Sequence, residues 1–280
     1  MKVRARLRFD PATLTEAVRD DTARAAPGVK GKKAALRDID RLAPRLADLQ
    51  ERLYAEGKAG GTRRLVLVLQ GTDGSGKDGS VSHVVGLVNP AGVKITSFGK
   101  PTEEERQHDF LWRITNALPS AGQIGVFNRS HYEDVLVVRV HDLVPAAEWE
   151  QRYDRINAWE AEQAAAGVTF VKVFLHLSRA EQRRRLLARL ADVRKHWKVN
   201  PGDIDERALW ESYRAAYADM LQRCSTDVAP WYVVPADRKW YRNWAITRLL
   251  TETLQELDPQ WPPRPELDVA GMTAALKRDA

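Results

Sequence analysis

Cysteine is all but missing from this chain of 280 residues, where Cys224 stands alone. A single thiol excludes an intramolecular disulfide and a cysteine-built metal cluster, and it suits a reducing compartment. Long apolar runs are missing as well. No stretch approaches the roughly 18 uninterrupted apolar residues of a membrane helix, and the charged start Met1-Lys2-Val3-Arg4 is followed by no apolar segment of signal-peptide length. A soluble, cytoplasmic protein with no membrane partner is expected. His108, His131, His176 and His196 lack zinc-type spacing with carboxylates and read as polar packing.

What the chain does contain is enough apolar material, 44% of residues, for one large α/β core. Its formal charge is +6. Residues 179–198 carry Arg179, Arg183, Arg184, Arg185, Arg189, Arg194, Lys195 and Lys198 against only Glu181 and Asp192, so one segment matches the whole excess. Such a concentration points to an anionic partner.

Residues 1–33, with Pro11, Pro27, Gly28 and Gly31 among mixed charges, read as an N-terminal arm without chemistry of its own. Residues 34–260 form the expected main domain and 261–280 a tail. Leu36, Ile39, Leu42, Leu46, Leu49 and Leu53 recur at helical spacing over 34–56, and Gly57, Gly60 and Gly61 end that helix. Aliphatic runs predict strands at 65–69, 93–98, 123–127, 168–175 and 231–234. Helical patterns fill 79–88, 102–117, 146–166, 179–190, 204–223 and 240–257, with Thr102/Glu105 and Ser178/Glu181 as capping boxes. The alternation implies a parallel sheet of about five strands covered by helices. Trp112, Trp159, Trp210 and Trp240 fall within helix patterns and read as core or subunit-interface groups, so a homo-oligomer is expected.

The segment Gly71-Thr72-Asp73-Gly74-Ser75-Gly76-Lys77 lies between a buried strand and a helix, the context in which a glycine pattern becomes a phosphate cradle. Glycines let backbone N–H groups converge, the helix presents its positive end, and Lys77 adds a mobile charge. The Ser or Thr that usually follows the lysine and meets Mg²⁺ is absent, replaced by Asp78 and then Gly79. Asp73 is the substitute, because a carboxylate among phosphate-directed donors repels the ligand unless a cation stands between them. The alternative for Asp73 is the cap of a local turn. After the strand at 123–127 comes Asn128-Arg129-Ser130-His131-Tyr132-Glu133-Asp134, placed by topology near the same loop. Arg129 suits a bidentate phosphate clamp, and Glu133 and Asp134 suit Mg²⁺ or the preparation of a nucleophile.

These two motifs, together with Pro101-Thr102-Glu103-Glu104-Glu105, His108-Asp109-Phe110-Leu111-Trp112-Arg113, His196-Trp197-Lys198, Ala229-Pro230-Trp231-Tyr232 and Lys239-Trp240-Tyr241-Arg242-Asn243, closely resemble the polyphosphate kinase 2 family over roughly residues 35–255. The resemblance implies a thymidylate-kinase-like P-loop fold with a helical basic lid at about 179–203. It implies Mg²⁺-dependent phosphoryl transfer between inorganic polyphosphate and AMP, ADP or ATP. Asp73, Lys77, Arg129, Asp134, Arg185 and Arg189 would be catalytic, the last two closing from the lid, with Asp73 and Asp134 holding the metal. Gly71, Gly74, Gly76, Lys77, Asp78, Gly79, Asn128, Arg129, Glu133 and Lys198 would bind phosphate or nucleotide. Tyr132-Glu133-Asp134-Val135 looks like the branch of the family that accepts both AMP and ADP. Arg185 and Arg189, four apart on a helix, share a face and could both reach one phosphoryl group. The readings set against this one are an ATP-dependent nucleotide kinase, which would normally keep Ser or Thr where Asp78 stands, and a non-catalytic basic protein binding nucleic acid, which leaves the P-loop unexplained. No nucleic-acid partner is expected.

Overall fold

The computed structural model describes residues 2–14 and 18–278. Among these, five strands form one parallel sheet: β1 (Arg64–Gln70), β2 (Val93–Ser97), β3 (Ile124–Asn128), β4 (Val168–His176) and β5 (Trp231–Pro235), in the spatial order β2-β3-β1-β4-β5. All five coincide with the aliphatic runs. The helices are α1 (Val3–Leu7), α2 (Lys32–Lys58), α3 (Lys77–Val84), α4 (Glu103–Arg106), α5 (Trp112–Ala117), α6 (Val137–Val140), α7 (Ala146–Ala165), α8 (Arg179–Leu190), α9 (Asp203–Ala208), α10 (Trp210–Cys224), α11 (Lys239–Leu257) and α12 (Val269–Arg278).

Two-residue periodicity places alternate side chains of a strand on opposite faces, and β1 shows why its run is continuous. Leu65, Leu67 and Leu69 enter a core shared with α2 and α11, while Val66 and Val68 enter a second core shared with α5, α7 and α10. Both faces are buried, so neither can be polar.

Two expected helices are broken. The Thr102/Glu105 capping box forms in full, but the helix stops at Arg106 and resumes at Trp112. Asp109 opens the second segment: its carboxylate accepts from the Leu111 N–H at 3.0 Å. The pattern over 204–223 divides at Leu209. The Ser178 box is half made, because Ser178 Oγ accepts from Glu181 N while the Glu181 carboxylate turns to Arg184 and Arg185.

The N-terminal residues, which composition leaves structureless, join the edge of the sheet. Phe9 N donates to Trp231 O at 2.8 Å, Arg8 bridges Tyr232 in the antiparallel sense, and Val3, Leu7 and Phe9 are buried. Pro and Gly hid a contact that only tertiary packing creates.

Candidate active site

The carboxyl ends of β1 and β3, paired through Leu69 and Asn128, bring the phosphate loop beside the segment that begins at Asn128. Gly76 caps α3 in the left-handed region at φ 99° and lies against Arg242, whose Nη1 would stand 1.7 Å from an added Cβ. Backbone and space both require glycine there. Lys77 opens α3 and donates to Gly71 O at 2.6 Å, with Asp73 Oδ1 at 3.9 Å. Burial pulls its pKa down, and Asp73 offsets part of that. Burial would raise the Asp73 carboxyl, but Lys77 and Arg129 together outweigh it and hold the group below the usual carboxylate range. Asp78 accepts from Asn128 Nδ2 at 2.8 Å and pairs with Lys198 at 3.5 Å, so it links the loop to both β3 and the basic segment 179–198.

Arg129 follows β3 with φ at 64°, a left-handed conformation rare for arginine and costing on the order of 1 kcal/mol. Its N–H donates to Leu69 O at 3.1 Å, and its guanidinium donates to Asp73 Oδ1 at 2.9 Å. Residues His131–Asp134 then form a 3₁₀ turn, in which successive side chains point about 120° apart. The neighbouring acids therefore diverge. Glu133 is acted on by Arg129, Lys77 and Asp73, and burial keeps its pKa raised in spite of the two cations. Asp134 faces Arg152 at 3.2 Å and Arg113 at 3.6 Å, and burial pushes it up to about 6. Of the two acids, Glu133 is the one whose charge acts with Asp73 on Lys77, while Asp134 is held by Arg152 and Arg113.

The two lid arginines separate. Arg185 is buried, and its guanidinium donates to Gly74 O, Ser75 O, Ala236 O and Asp237 O at 2.6–3.1 Å, while Nε donates to Glu181. Four backbone carbonyls behind the phosphate loop satisfy its fork, so here it braces the loop instead of facing the cleft. Arg189 pairs with Asp203 at 3.1 Å, donates to Lys198 O, and its charge reaches Asp73. The shared helical face did not decide where the two long side chains end.

Sequence reasoning passed over several groups that the fold places around the site. Arg113 and Arg152 hold Asp134, and Arg242 lines the loop. Glu160 and Lys172 form a fully buried ion pair at 2.6 Å, and Glu160 Oε1 also receives Tyr132 OH at 2.8 Å and lies 3.2 Å from His131 Nε2. The signal was available in Lys172, a charge inside the apolar run of β4, where an unpaired ion would be prohibitive.

Among the described residues no three His, Cys, Asp or Glu side chains converge as a metal cage. A Mg²⁺ ion commonly takes only one or two carboxylates and completes its shell with phosphate oxygens and water. Asp73, with the buried and unpartnered Thr72 Oγ1 next to it in the loop, fits that division of ligands.

A phosphate loop after β1, a lysine on the first turn of α3 and an arginine directly after β3 define a P-loop phosphotransferase. Comparison with known proteins is consistent along nearly the whole chain. The family model "Polyphosphate kinase 2 (PPK2)" matches residues 30–262, and the chain belongs to that family. It is 48% identical over 255 residues to the AMP/ADP-polyphosphate phosphotransferase of Meiothermus ruber, covering 91% of this chain and 90% of that one. It is 43% identical over 230 residues to the ADP-polyphosphate phosphotransferase of Rhodopseudomonas palustris, covering 78% of each. The crystal structure of polyphosphate kinase 2 from Arthrobacter aurescens TC1 superposes with a TM-score of 0.94 at 45% identity, over 99% of this chain and 97% of that one. The chain is an enzyme of the polyphosphate kinase class.

Proposed function

We propose that this enzyme moves a terminal phosphoryl group between inorganic polyphosphate and nucleotides, phosphorylating AMP and ADP, with Mg²⁺ at Asp73. The observation that carries the reading is the convergence of Lys77 and Arg129 on one carboxylate at the ends of two adjacent strands. Phosphoryl transfer asks the protein for alignment and charge neutralisation, and a terminal phosphate oxygen of the acceptor is itself the nucleophile. Lys77 and the loop N–H groups hold the group in transit, Arg129 clamps it from the β3 side, and Arg189 approaches from the lid. When bound, Mg²⁺ supplies neutralisation of the charge on the phosphate oxygens. Glu133, beside Lys77 and Arg129, stands where an acceptor's phosphates would meet that pair. A homo-oligomer is supported by the exposed apolar stripe Val269, Met272 and Leu276 on α12.

Incubation with Mg²⁺, long-chain polyphosphate and either AMP or ADP, without ATP, tests the reading: ADP and ATP should form, and their absence refutes it. Glu133→Asn should lower kcat/KM for AMP more than for ADP. An unchanged ratio removes the support that Glu133 gives to AMP as an acceptor.

A further inference from the structure

Trp210, Tyr213 and Tyr217 recur at helical spacing on one face of α10, and Trp210 and Tyr217 lie against the end of β4. The rings of Phe174 and Tyr217 are 4.7 Å apart at 32°, and those of Tyr213 and Tyr217 are 6.4 Å apart. This face is aromatic, yet its two phenols are not equivalent.

Tyr213 donates to Glu206 Oε2 at 2.7 Å, and Glu206 is also held by His141 at 2.9 Å. Tyr217 is only 5% exposed, and its hydroxyl has no hydrogen-bond partner among the described residues. A phenol so buried and unpaired costs stability that phenylalanine, with the same ring against Phe174, avoids. Packing accounts for the ring and leaves the hydroxyl unexplained.

The surroundings of that hydroxyl are the active site. Tyr217 lines a cavity of about 20 Å³ together with Thr72 of the phosphate loop and Val18 and Asp20 of the N-terminal arm. Such a space admits roughly one water-sized group, so Tyr217 and Thr72 are close neighbours. Thr72 Oγ1 is a second buried hydroxyl without a partner. Burial, then Glu133, Tyr213 and Asp73, raise the Tyr217 pKa against the opposing charge of Arg129. The phenol is therefore protonated at neutral pH and available as a donor. Glu133, Asp73 and Arg129 act on it from the β1 and β3 side, while α10 holds it from the other.

Resting on the function proposed above, we infer that Tyr217 is a further substrate-contacting residue of the phosphoryl transfer, its hydroxyl donating from α10 to a phosphate oxygen beside Arg129 and Glu133. That oxygen belongs to the group in transit or to the acceptor's terminal phosphate, which offer the same anionic acceptor. A further cation at this place would pair with Glu133 or Asp73. A neutral donor fixed by its ring stays free for the ligand.

The test is Tyr217→Phe, assayed with Mg²⁺, long-chain polyphosphate and ADP, with urea unfolding of the same preparations. Loss of one hydrogen bond to a charged oxygen should lower kcat/KM for ADP about tenfold or more, while the urea midpoint stays at or above that of the wild type. A fall in kcat at unchanged KM places the hydroxyl on the group in transit, and a raised KM for ADP places it on the acceptor. Tyr213→Phe provides the contrast, because it breaks the bond to Glu206 and should lower the midpoint. Wild-type kcat/KM in Tyr217→Phe, or a loss of activity that comes with a lowered midpoint, overturns the inference and leaves the proposed function standing. A wild-type enzyme inert with every polyphosphate overturns both.

Discussion

The Arg129 guanidinium and the Lys77 ammonium meet on a single oxygen, Asp73 Oδ1, at 2.9 Å and 3.9 Å. Arg129 comes from the end of β3 and Lys77 from the loop after β1, so this carboxylate sets the spacing of two cations that the sequence separates widely. On the proposed function, a phosphate oxygen entering the loop would compete with Asp73 for both. The left-handed backbone at Arg129 is strain retained where it aims the guanidinium at Asp73.

Lys77→Ala and Asp73→Asn should each remove most turnover, by about 10²-fold to 10³-fold, as loss of a preorganised charge at a reacting centre does. Circular dichroism and the melting temperature should stay near those of the wild type. Steady-state rates at saturating polyphosphate and ADP check this, and wild-type-like rates in either variant would refute the site.

The different surroundings of Arg185 and Arg189 give a prediction in which stability and turnover part company. Arg185→Ala strands buried carbonyls at Ser75 and Ala236 and half-buried ones at Gly74 and Asp237, and should cost about 3 kcal/mol in urea unfolding. Arg185→Lys should recover little, since an ammonium cannot reproduce the fork. Arg189→Ala, which loses a partly exposed pair with Asp203, should change stability by less than about 1 kcal/mol while lowering turnover by about tenfold or more. If Arg185→Ala unfolds like the wild type, its role as a brace is wrong.

The parallel sheet was legible because β1 and β4 must be apolar on both faces, and the phosphate loop because glycine spacing, strand and helix agree. The breaks at 107–111 and at Leu209 were not, since an apolar pattern continues smoothly across a turn that side-chain hydrogen bonds impose. At the site, residue type was legible and direction was not. Arg185 and Arg189 share a helical face, yet buried carbonyls draw one inward and Asp203 holds the other near the lid. Glu133 and Asp134 are adjacent, yet the 3₁₀ turn sends one towards Lys77 and the other towards Arg113.

Asp134 makes a pH-dependent prediction. Its folded pKa of about 6 lies above the unfolded value of about 3.9, so between those limits the folded protein binds a proton that the unfolded chain releases. Acidification through that range therefore stabilises the wild type relative to Asp134→Asn, in which the position no longer titrates. The difference in unfolding free energy should shift by about 1 kcal/mol in favour of the wild type between about pH 7 and pH 5. Other titrating groups are common to both proteins and cancel. Parallel stability curves would show that the carboxyl is not perturbed.

Glu160 anchors two consecutive residues of the site, His131 and Tyr132, and is itself balanced by Lys172 on β4. The pair is fully buried, so removing one partner leaves an uncompensated charge, and Lys172→Met should cost about 3–5 kcal/mol. Removing both charges should cost much less, and Glu160→Gln/Lys172→Met is expected to regain most of the stability in urea unfolding. The neutral pair supplies a weaker acceptor for Tyr132 and His131, so the turn carrying Glu133 and Asp134 loosens. In that double variant kcat should fall although the fold is recovered, and Tyr132→Phe should reproduce part of the fall. Full turnover in the stable double variant would mean that the ion pair serves the core alone and does not hold the acidic turn in register with Lys77.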